Sequence, residues 1–160
     1  MAATIFDGIV LALTPFNHSC NYRSAILHGY ATLVTDEAEK AVALQLITDG
    51  LVENRWDNSR VPPTKAELTS TGVLKVTIVS ASAKVNVGGP GDDRKDLKDA
   101  EVTNRIWTGV VPVYEKFGEL TPGENNKVEN SPGYLTKLTK QKNEEKMRYA
   151  TEAAALRKAK

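Results

Sequence analysis

A single cysteine, Cys20, stands in 160 residues. That excludes an internal disulfide and a cysteine-built zinc site. The only two histidines, His18 and His28, have no partner at H-x-x-x-H or C-x-x-C spacing, so no metal site is expected. No apolar run approaches the roughly 20 residues that a membrane helix needs. Met1 leads straight into a strand pattern without the basic start of a signal peptide. The expectation is therefore a cytoplasmic protein with no membrane partner. Charge of one sign is also lacking: 21 Lys and Arg against 20 Asp and Glu leave a net +1. Nothing global draws the chain toward nucleic acid. What is present, 41% apolar and 26% charged residues, is ordinary for a globular chain of one-domain size.

Ala3 to Phe6 and Ile9 to Leu13 are short β-type runs separated by Asp7-Gly8, a strong hairpin signal. Thr14 to Asn21 reads as a connector and Tyr22 to Val34 as a long strand. Asp36 followed by Glu39 is a capping-box pattern that predicts a helix to about Thr48, with Gly50 as its stop. Val42, Leu46 and Ile47 share one face of it. After the Pro62-Pro63 break, Thr64 with Glu67 repeats the pattern and predicts a short helix near Leu68. Val73 to Val79 reads as a strand, continued by strand or extended chain to Val87. A polar loop then runs through Asp99. Trp107 and Val110 to Tyr114 form a last strand broken by Pro112. This gives a domain over 1–118. Residues 119–160 read as a polar linker and a charged C-terminal helix, solvated and partly frayed, because their apolar content is too small for a core.

The chemistry-bearing residues do not spell out a catalyst. The Asp92–Asp99 carboxylates are interleaved with Arg94, Lys95 and Lys98, which suits a solvated loop better than a metal. Gly88-Gly89-Pro90-Gly91 lacks the spacing of a phosphate-cradling turn. Cys20 and His18 lack a positioned third group, so catalytic residues stay unassigned. His28 sits mid-strand, where an ordinary hydrogen-bonded role is the simpler reading, while His18 in the connector suits either role. What remains is a binding constellation. Ser19, Asn21, Tyr22 and Arg23 offer hydroxyl, amide and guanidinium groups at a strand entrance, with Lys84 as a cation and Trp107 as an aromatic plane. They suit a planar, anionic, hydrogen-bonding ligand. The alternative is a polar strand rim with a buried Trp.

Five segments in order carry a resemblance: Ile5-Phe6-Asp7-Gly8-Ile9-Val10-Leu11-Ala12, His18-Ser19-Cys20-Asn21-Tyr22-Arg23-Ser24, Pro63-Thr64-Lys65-Ala66-Glu67-Leu68, Ser82-Ala83-Lys84, and Trp107-Thr108-Gly109-Val110-Val111-Pro112. Together they resemble the flavin-nucleotide-binding split barrels related to pyridoxamine 5′-phosphate oxidase, in the nitroimidazole-resistance branch. The resemblance implies a mainly β fold with helices, a split β-barrel of the FMN-binding type. It implies a homodimer holding FMN in the dimer cleft, and for some members flavin-dependent oxidoreductase or nitroreductase activity. Family members usually carry further strands ahead of Asp7-Gly8, which implies an N-terminally truncated version here. Leu27-His28-Gly29 imitates a motif of that earlier part but stands on the later strand, so no role passes to His28. The residues that the resemblance assigns to the cofactor are Ser19, Asn21, Tyr22, Arg23, Lys84 and Trp107. The alternative it leaves is a non-enzymatic relative acting as a structural or partner-binding protein.

Overall fold

The computed structural model describes residues 1–156. Four strands, β1 (Ala2–Leu11), β2 (Ser19–Leu33), β3 (Leu74–Asn86) and β4 (Gly109–Pro112), form one sheet in the order β3-β2-β1-β4. Five helices accompany them: α1 (Glu37–Leu51), α2 (Lys65–Ser70), α3 (Arg94–Leu97), α4 (Ala100–Thr103) and α5 (Gly133–Ala155). The mainly β architecture with helices is as expected from the sequence. Among the described residues no helix is long and apolar enough to cross a membrane, and no cluster of His, Cys, Asp and Glu could hold a metal.

The Asp7-Gly8 hairpin does not form. β1 runs unbroken through both residues, and Asp7 is instead the extra residue of a β-bulge. Phe6 pairs with Tyr22 and Gly8 pairs with Asn21, leaving Asp7 without a partner on β2. Neither residue takes the positive φ that a two-residue hairpin turn demands. The tertiary reason is that β1 is paired along both edges, to β2 on one side and to β4 through Gly8↔Pro112 and Leu11↔Gly109 on the other. A turn at Asp7 would forfeit both ladders. The real connection to β2 comes later, at residues 12–18, through a 3-10 turn at Pro15–Asn17.

The chain divides into two compact units, with β2 and β3 contributing to both. The first comprises Met1–Leu27, Ala81–Phe117 and the chain from Lys142 onward. Its buried apolar side chains are Val10, Ala12, Leu13, Ala150 and Ala153. The last two correct the expectation of a solvated, frayed C-terminal helix. Small alanines let the helix lie close, so it needs few large apolar residues to dock. The portion of that segment at 157–160 lies outside the described residues. Asn143 reinforces the docking by accepting from the Phe117 backbone N–H at 2.7 Å and donating to its carbonyl at 2.9 Å. Lys146 pairs with Glu115 at 2.7 Å.

The second unit comprises His28–Ser80 and Gly118–Gln141. Val34 and Val73 are its buried residues, and the Val34 N–H donates to the Val73 carbonyl at 2.9 Å. Gly29 of β2 faces Thr77 so closely that a Cβ there would collide with the Thr77 carbonyl. The two helix starts are as the sequence predicts. Asp36 caps α1 by accepting from the Glu39 N–H, and Thr64 and Glu67 form a complete capping box on α2. Gly50 does not stop α1, which continues to Leu51. Residues 94–97, read as loop, and residues 100–103 beyond that loop form the one-turn helices α3 and α4. The Asp99 carboxylate accepts the first free N–H groups of α4.

Glu67 also pairs with Arg60. The Arg60 guanidinium and the Thr64 backbone and hydroxyl donors hold its carboxyl down at about 2, against an ordinary 4.5. A depressed acid supports the fold fully above its unfolded pKa and loses that support as pH falls through the folded one. The support given to the α2 start should therefore be complete above pH 4.5 and fade toward pH 2. A carboxyl NMR titration should place the Glu67 midpoint at about 2, and Arg60→Ala should move it up toward 4.5. An ordinary midpoint in the unaltered protein would contradict the capping geometry.

Candidate functional site

The polar run Ser19 to Ser24 opens β2, so its side chains alternate between the two faces of the sheet. Ser19, Asn21 and Arg23 project to one side and Cys20, Tyr22 and Ser24 to the other. The constellation read as one cluster is thus divided into two.

On the first side, Asn21 is fully buried. Its Nδ2 donates to the Gly88 carbonyl at 3.2 Å, while its Oδ1 has no partner among the described residues. Gly88 opens the glycine-rich loop at a φ of 87°. Arg23 makes a two-pronged ion pair with Asp7. Its Nε donates to Oδ2 at 2.9 Å and its Nη2 to Oδ1 at 2.8 Å. The Asp7 side chain is 4% exposed and that of Arg23 33%. The other flank of the guanidinium lies 3.6 Å from the centroid of the Tyr149 ring on α5. Hydrogen bonding and charge from Asp7 raise the Arg23 pKa against the opposing effect of burial, with Tyr149 and Glu145 adding smaller contributions. Arg23 is therefore committed internally: its charge is neutralised, and one edge and one face are covered.

On the second side, the Lys84 ammonium lies 5.8 Å from the Tyr22 ring centroid. Lys84 makes no ion pair among the described residues, and Tyr22 is half-buried. An accessible aromatic plane beside an unneutralised cation fits a planar group bearing negative charge.

Ser19 sits opposite Val10 in the β1–β2 register and is half-buried. Trp107 lies two residues ahead of β4. The last strand, β4, pairs with β1 and not with β2. Trp107 folds back over its own Gly109, where a Cβ would come 2.7 Å from the indole Cη2. At 66% exposure it is not the buried Trp of the plainer reading either. His18 is a latch: its Nδ1 accepts the Ala12 N–H at 2.9 Å. Leu13 N–H donates to Asp92 Oδ1 at 2.8 Å, tying the connector to the glycine-rich loop's far end. Sequence reasoning missed Asp7, Gly88 and Tyr149. For Asp7 a signal existed, since a glycine inside a strand pattern, here the next residue Gly8, also marks a bulge. Tyr149 carried none.

The family model for pyridoxamine 5′-phosphate oxidase matches residues 1–85. The chain belongs to this family. It is similar to the solved flavocytochrome Anf3 from Azotobacter vinelandii, with 34% identity and a TM-score of 0.75, over 85% of this chain and 61% of that one. It is likewise similar to the FAD and heme binding protein from Mycobacterium smegmatis, with 30% identity and a TM-score of 0.74, over 86% of this chain and 65% of that one. The chain thus spans less than two thirds of the length of either solved relative. Both relatives bear out the flavin-binding split-barrel fold class. No curated protein sequence matches.

Removing either member of the Asp7–Arg23 pair should leave the other charge poorly compensated. Charged hydrogen bonds contribute roughly 1.5–3 kcal/mol, and the partial exposure of Arg23 sets the expected cost of Asp7→Asn at the lower end. Arg23→Lys should be nearly as damaging, because an ammonium cannot supply both prongs or the flat face. Urea denaturation of the singles and the double should give a coupling energy of about 1 kcal/mol or more. Additive losses would show that the pair does not act as a unit.

Proposed function

We propose that this chain binds a flavin nucleotide, with the Tyr22–Lys84 side of β2 against the isoalloxazine or its negatively charged part. The observation that carries this reading is the unneutralised Lys84 beside the Tyr22 ring, in a chain of this family whose two solved relatives are a flavocytochrome and an FAD and heme binding protein. The flavin would supply the redox chemistry and the protein its orientation and surroundings. FMN is the nucleotide that the motif resemblance favours, and an oxidoreductase of the nitroimidazole-resistance branch is the matching activity. The FAD named for the mycobacterial relative makes the adenine nucleotide the natural comparison. Asn21 and Arg23 belong to the scaffold behind this surface rather than to the ligand's charge.

Titration of FMN and of FAD should quench flavin fluorescence saturably. Stacking against an aromatic ring contributes roughly 1–3 kcal/mol by alanine substitution, so Tyr22→Ala should weaken binding about 5- to 150-fold. Lys84→Ala should weaken it too, and more at low salt than at high. Trp107→Phe should leave it unchanged, since that ring packs over its own Gly109. Absence of saturable binding for both nucleotides at millimolar concentration would sink the reading.

A second reading has its own support. On α1, Val42, Leu46, Ile47 and Leu51 are between 57% and 80% exposed, an apolar stripe of the kind that marks an interaction surface. A homodimer is the form this takes in the proposal, with or without enzymatic activity. Light scattering at micromolar concentration should give twice the chain mass of 17.4 kDa. Leu46→Glu should shift it toward one chain mass, and a monodisperse monomer before substitution would remove the support.

A further inference from the structure

We propose that the C-terminal helix is a working part of the candidate site: Tyr149 and the Ala153 carbonyl hold the backing residues of β2 in place. The inference rests on the flavin reading for what the site binds, but not for the coupling itself.

Two contacts, leading to residues two positions apart on β2, extend from α5 into the Ser-x-Asn-Tyr-Arg run. The first is the Tyr149 ring against the Arg23 guanidinium at 3.6 Å. Asp7 clamps the edge of that guanidinium, and the ring covers one of its faces. A delocalised cation held flat on a ring face is favourable, and more so where water is reduced. The second starts at the helix's end. The last carbonyls of a helix have no partner within it. Here Ala153 accepts the Gly88 N–H at 2.8 Å. Gly88 in turn accepts from Asn21 Nδ2 through its own carbonyl. The helix end, the glycine-rich loop and the buried amide thus form one hydrogen-bonded chain. Ala150 and Ala153 are buried between these contacts, one turn apart, which fixes the helix in rotation as well as in position.

Asn21 and Arg23 flank Tyr22. Their side chains anchor one face of β2, and their anchoring fixes how the Tyr22 ring is presented on the other. Loosening α5 should therefore disturb Tyr22 without touching it. Tyr149 is a positioning residue.

The test uses the full chain with Tyr149→Leu, which keeps apolar bulk but removes the ring face, Tyr149→Ala, and Tyr149→Phe as the conservative rescue. The first readout needs no ligand: hydrogen exchange of the Gly88 amide, the donor to Ala153. Leu and Ala should speed it at least tenfold, and Phe should restore the original rate. The second readout is FMN and FAD affinity together with the visible circular dichroism of the bound flavin. Tyr149→Leu should weaken affinity at least fivefold and alter the dichroism, with the melting midpoint within a few degrees of its original value. Unchanged Gly88 exchange in the Leu and Ala variants overturns the coupling. Faster exchange with unaltered flavin affinity and dichroism overturns its connection to the site. If the unaltered chain binds neither nucleotide, the flavin reading fails, and the exchange data still decide whether α5 secures β2.

Discussion

The ion pair between Asp7 and Arg23 is the constraint around which the first compact unit is organised. A carboxylate with 4% of its side chain exposed needs a compensating charge. The bulge in β1 exists where that carboxylate is delivered inward, out of the alternation that would otherwise assign its direction. Arg23 answers it across the β1–β2 ladder with both prongs of its fork. That commitment leaves a flat face, and Tyr149 covers it. A bulge, a strand register and the docking of a distant helix therefore share one interaction. The logic is geometric: an ammonium could neutralise Asp7, but it could not also present a plane to the ring.

β2 separates support from presentation by the period of two alone. One side of the Ser19–Ser24 run is spent inside the protein, with Asn21 on the glycine-rich loop and Arg23 on Asp7. The other offers Tyr22 and, beside it, Lys84. This division sharpens the electrostatic argument. A guanidinium already paired with a carboxylate projects little net field, so counting Arg23 and Lys84 together overstates the positive charge available to an anion. Of the two cations in the quoted motifs around Tyr22, Lys84 is the one without an acidic partner among the described residues. The glycine-rich loop has a matching role. It lacks phosphate-cradle spacing, and its Gly88 is occupied at both ends, donating to Ala153 and accepting from Asn21.

What could be read from sequence was whatever a few adjacent residues decide. The cap at Asp36 and the capping box at Thr64 formed where their spacing predicts, because both partners lie within one helical turn, although only Glu67 returns the bond. The long strands were legible from their apolar alternation, and five ordered segments sufficed for the family. Failures came where distant pairing overrode a local signal. Asp7-Gly8 has the chemistry of a tight turn, but two ladders hold it straight. Gly50 has the chemistry of a stop, and α1 passes through it. The C-terminal helix was misjudged because hydrophobicity was counted by bulk. Ala150 and Ala153 add little apolar area, yet they permit the close approach that brings Tyr149 to Arg23. The site residues were legible as residue types but not as sides of a strand. Their division follows from the period of two once the strand starts at Ser19, whereas the local sequence reads as a connector through Asn21.

The unpartnered Oδ1 of Asn21 bears on how rigid this arrangement must be. A buried amide with one donor bond and an idle acceptor is costly by roughly 1–3 kcal/mol, and rotating it would only exchange the defect. With the amide reversed, the Gly88 carbonyl would face Oδ1 and two acceptors would oppose each other. The observed orientation is thus the better of two imperfect ones, selected by Gly88. Gly88 is itself held by Ala153, so the helix end indirectly decides which way the Asn21 amide points. The same dependence runs through Arg23, whose open face is closed only when Tyr149 is present. Two residues that read as ligand donors in the sequence therefore take their orientation from a segment more than a hundred residues later in the chain.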